Sequence, residues 1–101
     1  MAQIGVAFIR GLNMFGQNRI TVEEMRSLLM DIEDDNLHII DLYRADNIIF
    51  EKTGIHYAEV GLRIQAVLYH RFGKEIMVTT RSFNTLNGLM NKIYGQDYQN
   101  L

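Results

Sequence analysis

The sequence predicts an α+β domain in which two helices cover one face of a four-stranded antiparallel sheet. Three observations favour this class: short apolar runs with strand-like alternation, two longer segments with helical spacing of apolar residues, and only three residues between the second and third short runs. A gap that short joins neighbouring strands as an antiparallel hairpin. The expected order is strand, helix, strand, strand, helix, strand, with one further helix at the C-terminal end.

The first strand is predicted at residues 3–9, QIGVAFI, where successive side chains point to opposite faces of a sheet. The first helix is predicted from about Thr21 to Glu33, because Thr21 and Glu24 have capping-box spacing and apolar residues then recur every three or four positions. Acidic residues gather at the C-terminal end of this helix, where the helix dipole disfavours negative charge. We therefore expect that end to fray.

The second and third strands are predicted at residues 38–43 and 47–51. The second helix is predicted from residue 55 or 56 to Phe72, and Gly73 is its expected C-terminal stop. Its buried stripe is expected to hold Val60, Ile64, Val67, Leu68 and Phe72. A second apolar flank, formed by Leu62, Ala66 and Tyr69, indicates that this helix contacts more than the sheet.

The fourth strand is predicted at residues 75–79, with Ile76 and Val78 on one side and Met77 on the other. Ser82 then has the position of an N-cap for a third helix. The apolar residues of that helix are Phe83, Leu86, Leu89, Met90 and Ile93. We expect residues 95–101 to form a loose tail and residues 1–101 to form a single domain.

This element order is that of a ferredoxin-like βαββαβ sandwich. Right-handed crossovers place the loop after the first strand, the hairpin turn and the start of the fourth strand at the same end of the sheet. We therefore expect a basic cluster there, made of Arg10, Arg19, Arg44, Arg71 and Lys74. The opposite end receives the acidic residues Glu33, Asp34 and Asp35.

The alternation also predicts which side chains lie below the helices and which lie on the open face of the sheet. Below the helices we place Ile4, Val6, Phe8, Ile48 and Phe50. On the open face we place Gly5, Ala7, Ile9, Ile39, Asp41, Tyr43, Ile49, Met77 and Thr79. An apolar open face marks a protein interface, so we expect either a cover by the third helix or a homodimer through the sheet face or that helix.

Composition excludes several classes of protein. With no cysteine there is no disulfide, no thiolate nucleophile and no cysteine metal site. No apolar run approaches the ~20 residues that cross a bilayer, and the first residues lack the basic region of a signal peptide, so a cytoplasmic location without membrane contact is expected. The three histidines lack metal-ligand spacing, and no cofactor or metal is predicted.

Nucleic acid is not an expected partner. The net charge of −2 gives no general attraction to phosphate. RNA-binding sheets of this topology carry aromatic side chains on the exposed faces of the first and third strands, whereas we place Phe8 and Phe50 below the helices.

The most polar segment is the opening loop, residues 10–19, RGLNMFGQNR. One interpretation is a site for a small phosphorylated or carboxylated molecule, built from Arg10, Asn13, Asn18, Arg19, Arg44 and Asn47 with the free amides at the start of the first helix. The other, which we prefer, is that the asparagines and glycines satisfy turn geometry while the arginines pair with acids or stay solvated. Gly11 and Gly16 have phosphate-loop spacing, but Gln17 and Asn18 replace the lysine and hydroxyl residue of that motif.

Several segments together resemble the uncharacterised domain-of-unknown-function 1697 family over nearly the whole chain. The residues that match its pattern are Arg10, Gly11, Asn13, Gly16, Asn18 and Arg19 in the opening loop, Asn47 and Phe50 at the third strand, and Phe72, Gly73, Val78, Arg81 and Ser82 near the fourth. Phe15 and Ala45-Asp46 depart from it, since the family has glycine or Ser-Gly there. The resemblance implies an α+β fold and no particular activity, and its members commonly continue into a second half.

The sequence contains no catalytic motif, because neither Ser27 nor Ser82 lies in a nucleophile elbow. Our leading hypothesis is a non-catalytic binding or assembly module that self-associates. The alternative is an enzyme or ligand-binding protein for a small anionic molecule at the opening loop.

Overall fold

Six elements, in the order strand, helix, strand, strand, helix, strand, make up the computed structural model, which describes residues 2–13, 16 and 18–83. They are β1 (Gln3–Ile9), α1 (Val22–Met30), β2 (Leu37–Tyr43), β3 (Asn47–Lys52), α2 (Tyr57–Phe72) and β4 (Val78–Ser82). The predicted third helix beyond Phe83 and the predicted tail at 95–101 lie outside the described residues.

The four strands form one antiparallel sheet in the order β2-β3-β1-β4. In this register Gly5 of β1 lies between Phe50 of β3 and Ser82 of β4, and Ile9 lies beside Val78. Both helices lie on the same face, because the buried residues of α1 and α2 belong to one apolar cluster with β1 and β3. The prediction of an α+β protein with four antiparallel strands and two helices is confirmed.

Helix α1 begins where its cap predicts. The Oγ1 atom of Thr21 accepts the backbone N–H of Glu24 at 3.0 Å, which satisfies one of the free amides of the first turn. The helix ends at Met30, three residues before the predicted Glu33, and the following N–H groups bond to carbonyls only three residues back. Like-charge crowding at the negative end of the helix dipole is the physical reason for the short helix.

Helix α2 matches its predicted bounds closely. It ends at Phe72, and Gly73 follows in the left-handed conformation with φ of 72°, which glycine adopts without the steric cost of a Cβ atom. The buried residues of its inner stripe are Val60, Gly61, Ile64 and Leu68. Leu62 and Tyr69, on the predicted second flank, are exposed.

The predicted faces of β1 were wrong. Gly5 and Ala7 lie opposite Phe50 and Ile48 of β3 and therefore point toward the helices, so Ile4, Val6 and Phe8 lie on the open face. The reason is space, because a Cβ atom at Gly5 would lie 2.5 Å from the Phe50 ring and 2.6 Å from that of Tyr57. The rings of Phe50 on β3 and Tyr57 on α2 occupy the space that a side chain at Gly5 would need. Ile9, 5% exposed, also belongs to the core and not to the open face.

The predicted position of Ile39 on the open face was also wrong. A β-bulge between Ile39 and Asp41 inserts one extra residue into β2. One extra residue reverses the side-chain alternation beyond it, so Ile39 lies opposite Phe50 and packs on the core. Asp41 and Tyr43 lie on the open face, as predicted.

Strand β4 is Val78–Ser82, three residues further along the chain than predicted. The alternation was correct, because Ile76 and Val78 are buried and Met77 is exposed. Residues 79–82, TTRS, include no apolar residue and join the sheet through pairing with β1, which a local pattern does not reveal. Ser82, the predicted cap, closes this strand.

The core is the layer between the sheet and the two helices. Its largest fully buried side chains include Phe50, Met25 and Leu29. At the end of the sheet that holds the opening loop, Leu12, Ile20, Ala45 and Ile76 extend this core and close it. Among the described residues, neither helix has the length and apolar character that a bilayer span requires.

Candidate functional site

The opening loop holds itself together through two asparagines. The side-chain amide of Asn13 accepts the backbone N–H of Ile20 at 2.9 Å and donates to its carbonyl at 3.0 Å. The amide of Asn18 donates to the carbonyl of Gly11 at 3.0 Å. Both asparagines are left-handed, with φ of 56° and 51°, a conformation that asparagine tolerates better than most residues. These amides therefore build the loop.

Three arginines of the predicted basic cluster remain exposed. Arg10, Arg19 and Arg44 form no ion pair with any carboxylate in residues 2–13, 16 and 18–83, although the Arg44 guanidinium lies 5.5 Å from the centroid of the Tyr43 ring. Backbone bonds connect the segment of Arg10 to the hairpin turn that holds Arg44 and to the start of β4: Ile9 N–H donates to the Asp46 carbonyl at 2.9 Å, and Arg10 N–H to the Met77 carbonyl at 3.0 Å. The strand ends thus meet at one end of the sheet.

Other members of that end have partners. A guanidinium nitrogen of Arg71 lies 3.2 Å from a carboxylate oxygen of Glu24, which links α2 to α1. The Asn47 amide donates to the Asp46 carboxylate at 3.2 Å. Of the predicted basic cluster, Arg10, Arg19, Arg44 and Lys74 thus have no ion pair with a carboxylate among the described residues.

The open sheet face presents a strip of apolar side chains from the central strand. Ile4, Val6 and Phe8 form it, with Ile49 of β3 opposite Val6 and with Met77 next to β4. Val6 is 9% exposed although it lies outside the cluster beneath the helices, whereas Met77 is 61% exposed. From the sequence, Ile49 and Met77 were placed on this face correctly, whereas Ile4, Val6 and Phe8 were placed below the helices, which is wrong.

Charged residues of both signs surround the strip. Glu51 lies opposite Ile4, Arg81 lies opposite Val6, and Asp41 lies opposite Ile49. Phe8 lies on the open face and not below the helices, so its position does not argue against RNA binding. The carboxylates of Glu51 and Asp41 nevertheless repel a phosphate backbone on the same face.

The acidic end contains an ion-pair network around Arg63, which the sequence did not single out. Its guanidinium contacts the carboxylates of Asp34 and Glu59, each at 2.9 Å. The backbone N–H of Asn36 donates to Asp34 at 2.7 Å and, together with Arg63, lowers the pKa of the Asp34 carboxyl below its ordinary value of 3.8. A groove of about 380 Å³ lies beside this network.

Lys52 is a second residue that the sequence analysis did not identify. Its side chain is on the helix side of the sheet and only 4% exposed. The ammonium donates to Oε1 of Gln3 at 2.5 Å and to the carbonyl of Ile55 at 2.6 Å. A single lysine at the end of a strand gives no local signal that it is buried.

The described part of the chain offers no metal centre, since no group of three histidine or acidic residues within it converges on one point. The three histidines are distributed over β2, the start of α2 and its last turn. No nucleophile, base and orienting acid come together among the described contacts.

Comparison with known proteins gives a family and no individual relative. Neither the curated proteins nor the solved structures include a significant match to this chain. A family profile described as "Protein of unknown function (DUF1697)" matches residues 2–98. The match covers all six elements described above, and it agrees with the resemblance stated for the sequence. The chain belongs to the DUF1697 family.

Proposed function

We propose that this protein is a non-catalytic binding module that self-associates through its open sheet face. The observation that carries the proposal is the apolar strip of Ile4, Val6 and Phe8, which neither described helix covers. A sheet face that meets water normally alternates apolar and polar residues between its two sides. Here the central strand is apolar on both sides, which supports a partner on the open side.

The charges around the strip suit a symmetric pair. In a two-fold dimer each copy offers the same surface to the other, so an acidic and a basic rim on one face can complement each other. Glu51 on β3 lies opposite Ile4, and Arg81 on β4 lies opposite Val6, so the two charges border the strip from opposite sides. An apolar centre with a charged rim is the usual arrangement of a protein interface.

The size of the face sets the expected affinity. A sheet of four strands, each about six residues long, measures roughly 19 by 20 Å. The area of such a face is below the ~800 Å² that each partner of a standard interface buries. We therefore expect micromolar self-association.

Sedimentation velocity over micromolar to sub-millimolar concentrations tests this proposal. We expect a monomer–dimer equilibrium that Phe8→Glu and Met77→Glu abolish. Leu62→Glu, an exposed apolar residue on α2, is the matched control and should leave the equilibrium unchanged. A strict monomer at every concentration contradicts the proposal, and so does equal weakening by the control.

A second candidate function is recognition of a small anion at the opening loop. It is supported by the exposed Arg10, Arg19 and Arg44, which have no acidic partner in the described part of the chain. We expect phosphate to raise the melting temperature more than chloride at equal ionic strength, and Arg10→Ala to reduce that difference. Arg26→Ala, on α1, is the control. No phosphate-specific rise excludes this candidate.

We also infer a ferredoxin-like topology and a cytoplasmic location. The strand order β2-β3-β1-β4 with α1 and α2 on one face supports the first. The cysteine-free composition is compatible with the second.

A further inference from the structure

A trough of about 400 Å³ runs between α2 and the edge of the sheet at β4. We call it the β4 trough. Its lining residues are Ala58, Gly61, Leu62 and Gln65 of α2 and Val78, Thr79, Thr80 and Arg81 of β4. It lies at the outer edge of the sheet, and it shares Thr79 and Arg81, which lie opposite Phe8 and Val6, with the border of the open face.

The β4 side of the trough is a free strand edge. Within the described part of the chain, β4 pairs with β1 and with no other strand. The Arg10 N–H donates to the Met77 carbonyl, so the backbone groups of Met77 point toward β1. In an antiparallel strand the N–H and C=O groups of successive residues point alternately to the two sides of the strand. The backbone groups of Val78 and Thr80 therefore point away from β1, toward the trough.

The α2 side is an apolar flank that overhangs this edge. Ala58, Leu62 and Gln65 lie four and three residues apart, on one stripe of the helix. Leu62 is 62% exposed. Gly61 brings the helix close to the strand, since a Cβ atom there would lie 3.5 Å from Cγ2 of Thr80. Side chains of an added strand would pack against this flank.

Arg81 is the one ionisable residue in the lining, and it covers the strand edge. Its Nη1 atom donates to the carbonyl of Thr80 at 2.8 Å. It forms no ion pair with a carboxylate among the described residues. A carboxylate beside Arg81 would draw the guanidinium away and leave the Thr80 carbonyl free to accept an N–H group.

We propose that the β4 trough binds an extended, acidic segment of a partner protein, which adds to the sheet as a fifth strand. Backbone bonds to Val78 and Thr80 supply the strand pairing, Leu62 covers the apolar side chains, and Arg81 selects a carboxylate. A free edge beside a helix is an arrangement that peptide-binding domains use for strand addition. This binding goes beyond self-association, and the two surfaces meet at Arg81.

Charge complementarity favours such a segment over a second copy of β4. The strand Val78–Ser82 carries one arginine and no acid. Pairing two copies of it would bring a second guanidinium into the same trough without a carboxylate to neutralise either. An acidic partner removes this repulsion.

Selection of short random peptides displayed on phage, with the full chain as target, tests the proposal. We expect enriched peptides to alternate β-branched and polar residues and to contain Asp or Glu. Fluorescence anisotropy should then show about tenfold weaker binding for Arg81→Gln, or for the peptide with its acid amidated. Ala58→Trp, which fills the trough from an exposed position, should abolish binding.

Three readouts separate this site from the others and from misfolding. Arg19→Gln is the matched loss of a cation and should leave peptide affinity unchanged, as should Phe8→Glu on the open face. Circular dichroism checks that each variant keeps its fold. Amide exchange at Val78 and Thr80 should be fast in the free chain and slow with peptide. Absence of enrichment, binding insensitive to Ala58→Trp, or protection of these amides in the free chain would overturn the proposal.

Discussion

The ammonium nitrogen of Lys52 lies 4.2 Å from the centroid of the Tyr57 ring. This buried cation has no carboxylate partner among the described residues, and its other contacts are the amide oxygen of Gln3 and the carbonyl of Ile55. A cation that leaves water needs such groups, because an uncompensated buried charge is costly. The contact joins the end of β3 to the start of α2.

Replacement of Lys52 should reveal how much this contact stabilises the fold. Lys52→Met keeps the aliphatic stem but leaves the Ile55 carbonyl without its donor, so we expect a loss of about 1–3 kcal/mol in the free energy of unfolding. Urea unfolding measures it. Lys74→Met, at an exposed lysine, is the control and should change little.

A double-mutant cycle isolates the contribution of the ring. Lys52→Met and Tyr57→Leu should couple by about 0.5–2 kcal/mol, the range of a partly desolvated cation–π contact. Tyr57→Phe retains the ring and should retain the coupling, although it loses the hydroxyl that lies 3.4 Å from the Ile4 carbonyl. Additive effects of Lys52→Met and Tyr57→Leu would show that the ring contributes nothing to this charge.

The opening loop should depend more on Asn13 than on Asn18. Asn13 makes two hydrogen bonds to the buried Ile20, whereas Asn18 makes one side-chain bond to Gly11. Glycine tolerates the left-handed backbone, so Asn13→Gly tests the amide without added strain, and we expect a loss of about 1–3 kcal/mol in chemical unfolding. Asn18→Gly should cost about half as much. The reverse order would mean that the Asn13 amide does not hold the loop.

Asp34 should make the stability of the protein depend on pH. Its pKa is lowered in the folded protein by the Asn36 N–H and by Arg63, so it binds a proton less readily than in the unfolded chain. The stabilisation is therefore present above its ordinary pKa of 3.8 and is lost as the pH falls through the lower, folded value. Urea midpoints at neutral and acidic pH measure this difference.

The matched variants are Asp34→Asn and Asp35→Asn. Asp34→Asn should be less stable than the parent protein at neutral pH and equal to it in acid. Asp35 is exposed and accepts no hydrogen bond from another described residue, so its replacement should have little effect at either pH. A constant deficit for Asp34→Asn across the range would exclude the linkage.

The elements that were predicted correctly are those marked by signals between neighbouring residues in the sequence. The cap at Thr21, the stop at Gly73 and the three-residue hairpin gap are properties of a few adjacent residues, and each marks an element within a few positions of its observed end. The faces of the strands depend on tertiary space. Nothing near Gly5 in sequence shows that Phe50 and Tyr57 occupy its side-chain position.

The same distinction applies to the candidate site. The preference for a self-supporting opening loop followed from ordinary turn chemistry, and the Asn13 and Asn18 amides do bond within the loop. Lys52 and Arg63 were missed because one partner of each, Gln3 and Asp34, is remote in sequence. Arg63, for example, lies 29 positions from Asp34. Only the folded chain brings Lys52 to Gln3 and Arg63 to Asp34. The Glu59–Arg63 pair has i,i+4 spacing and is a local signal that could have been found.

Two glycine-to-alanine changes should shift stability in opposite directions. At Gly5 a Cβ atom would meet Phe50 at 2.5 Å, and Phe50 is fully buried and has no room to move, so Gly5→Ala should cost about 1–3 kcal/mol. At Gly61 the nearest contact is an ordinary 3.5 Å. Gly61→Ala should therefore stabilise α2 by about 0.5–1 kcal/mol, because alanine favours the helix over glycine. Thermal unfolding of both variants measures the contrast. If Gly5→Ala were neutral, β1 would not turn its small residues toward the helices, and the apolar strip assigned to the open face would belong to the core.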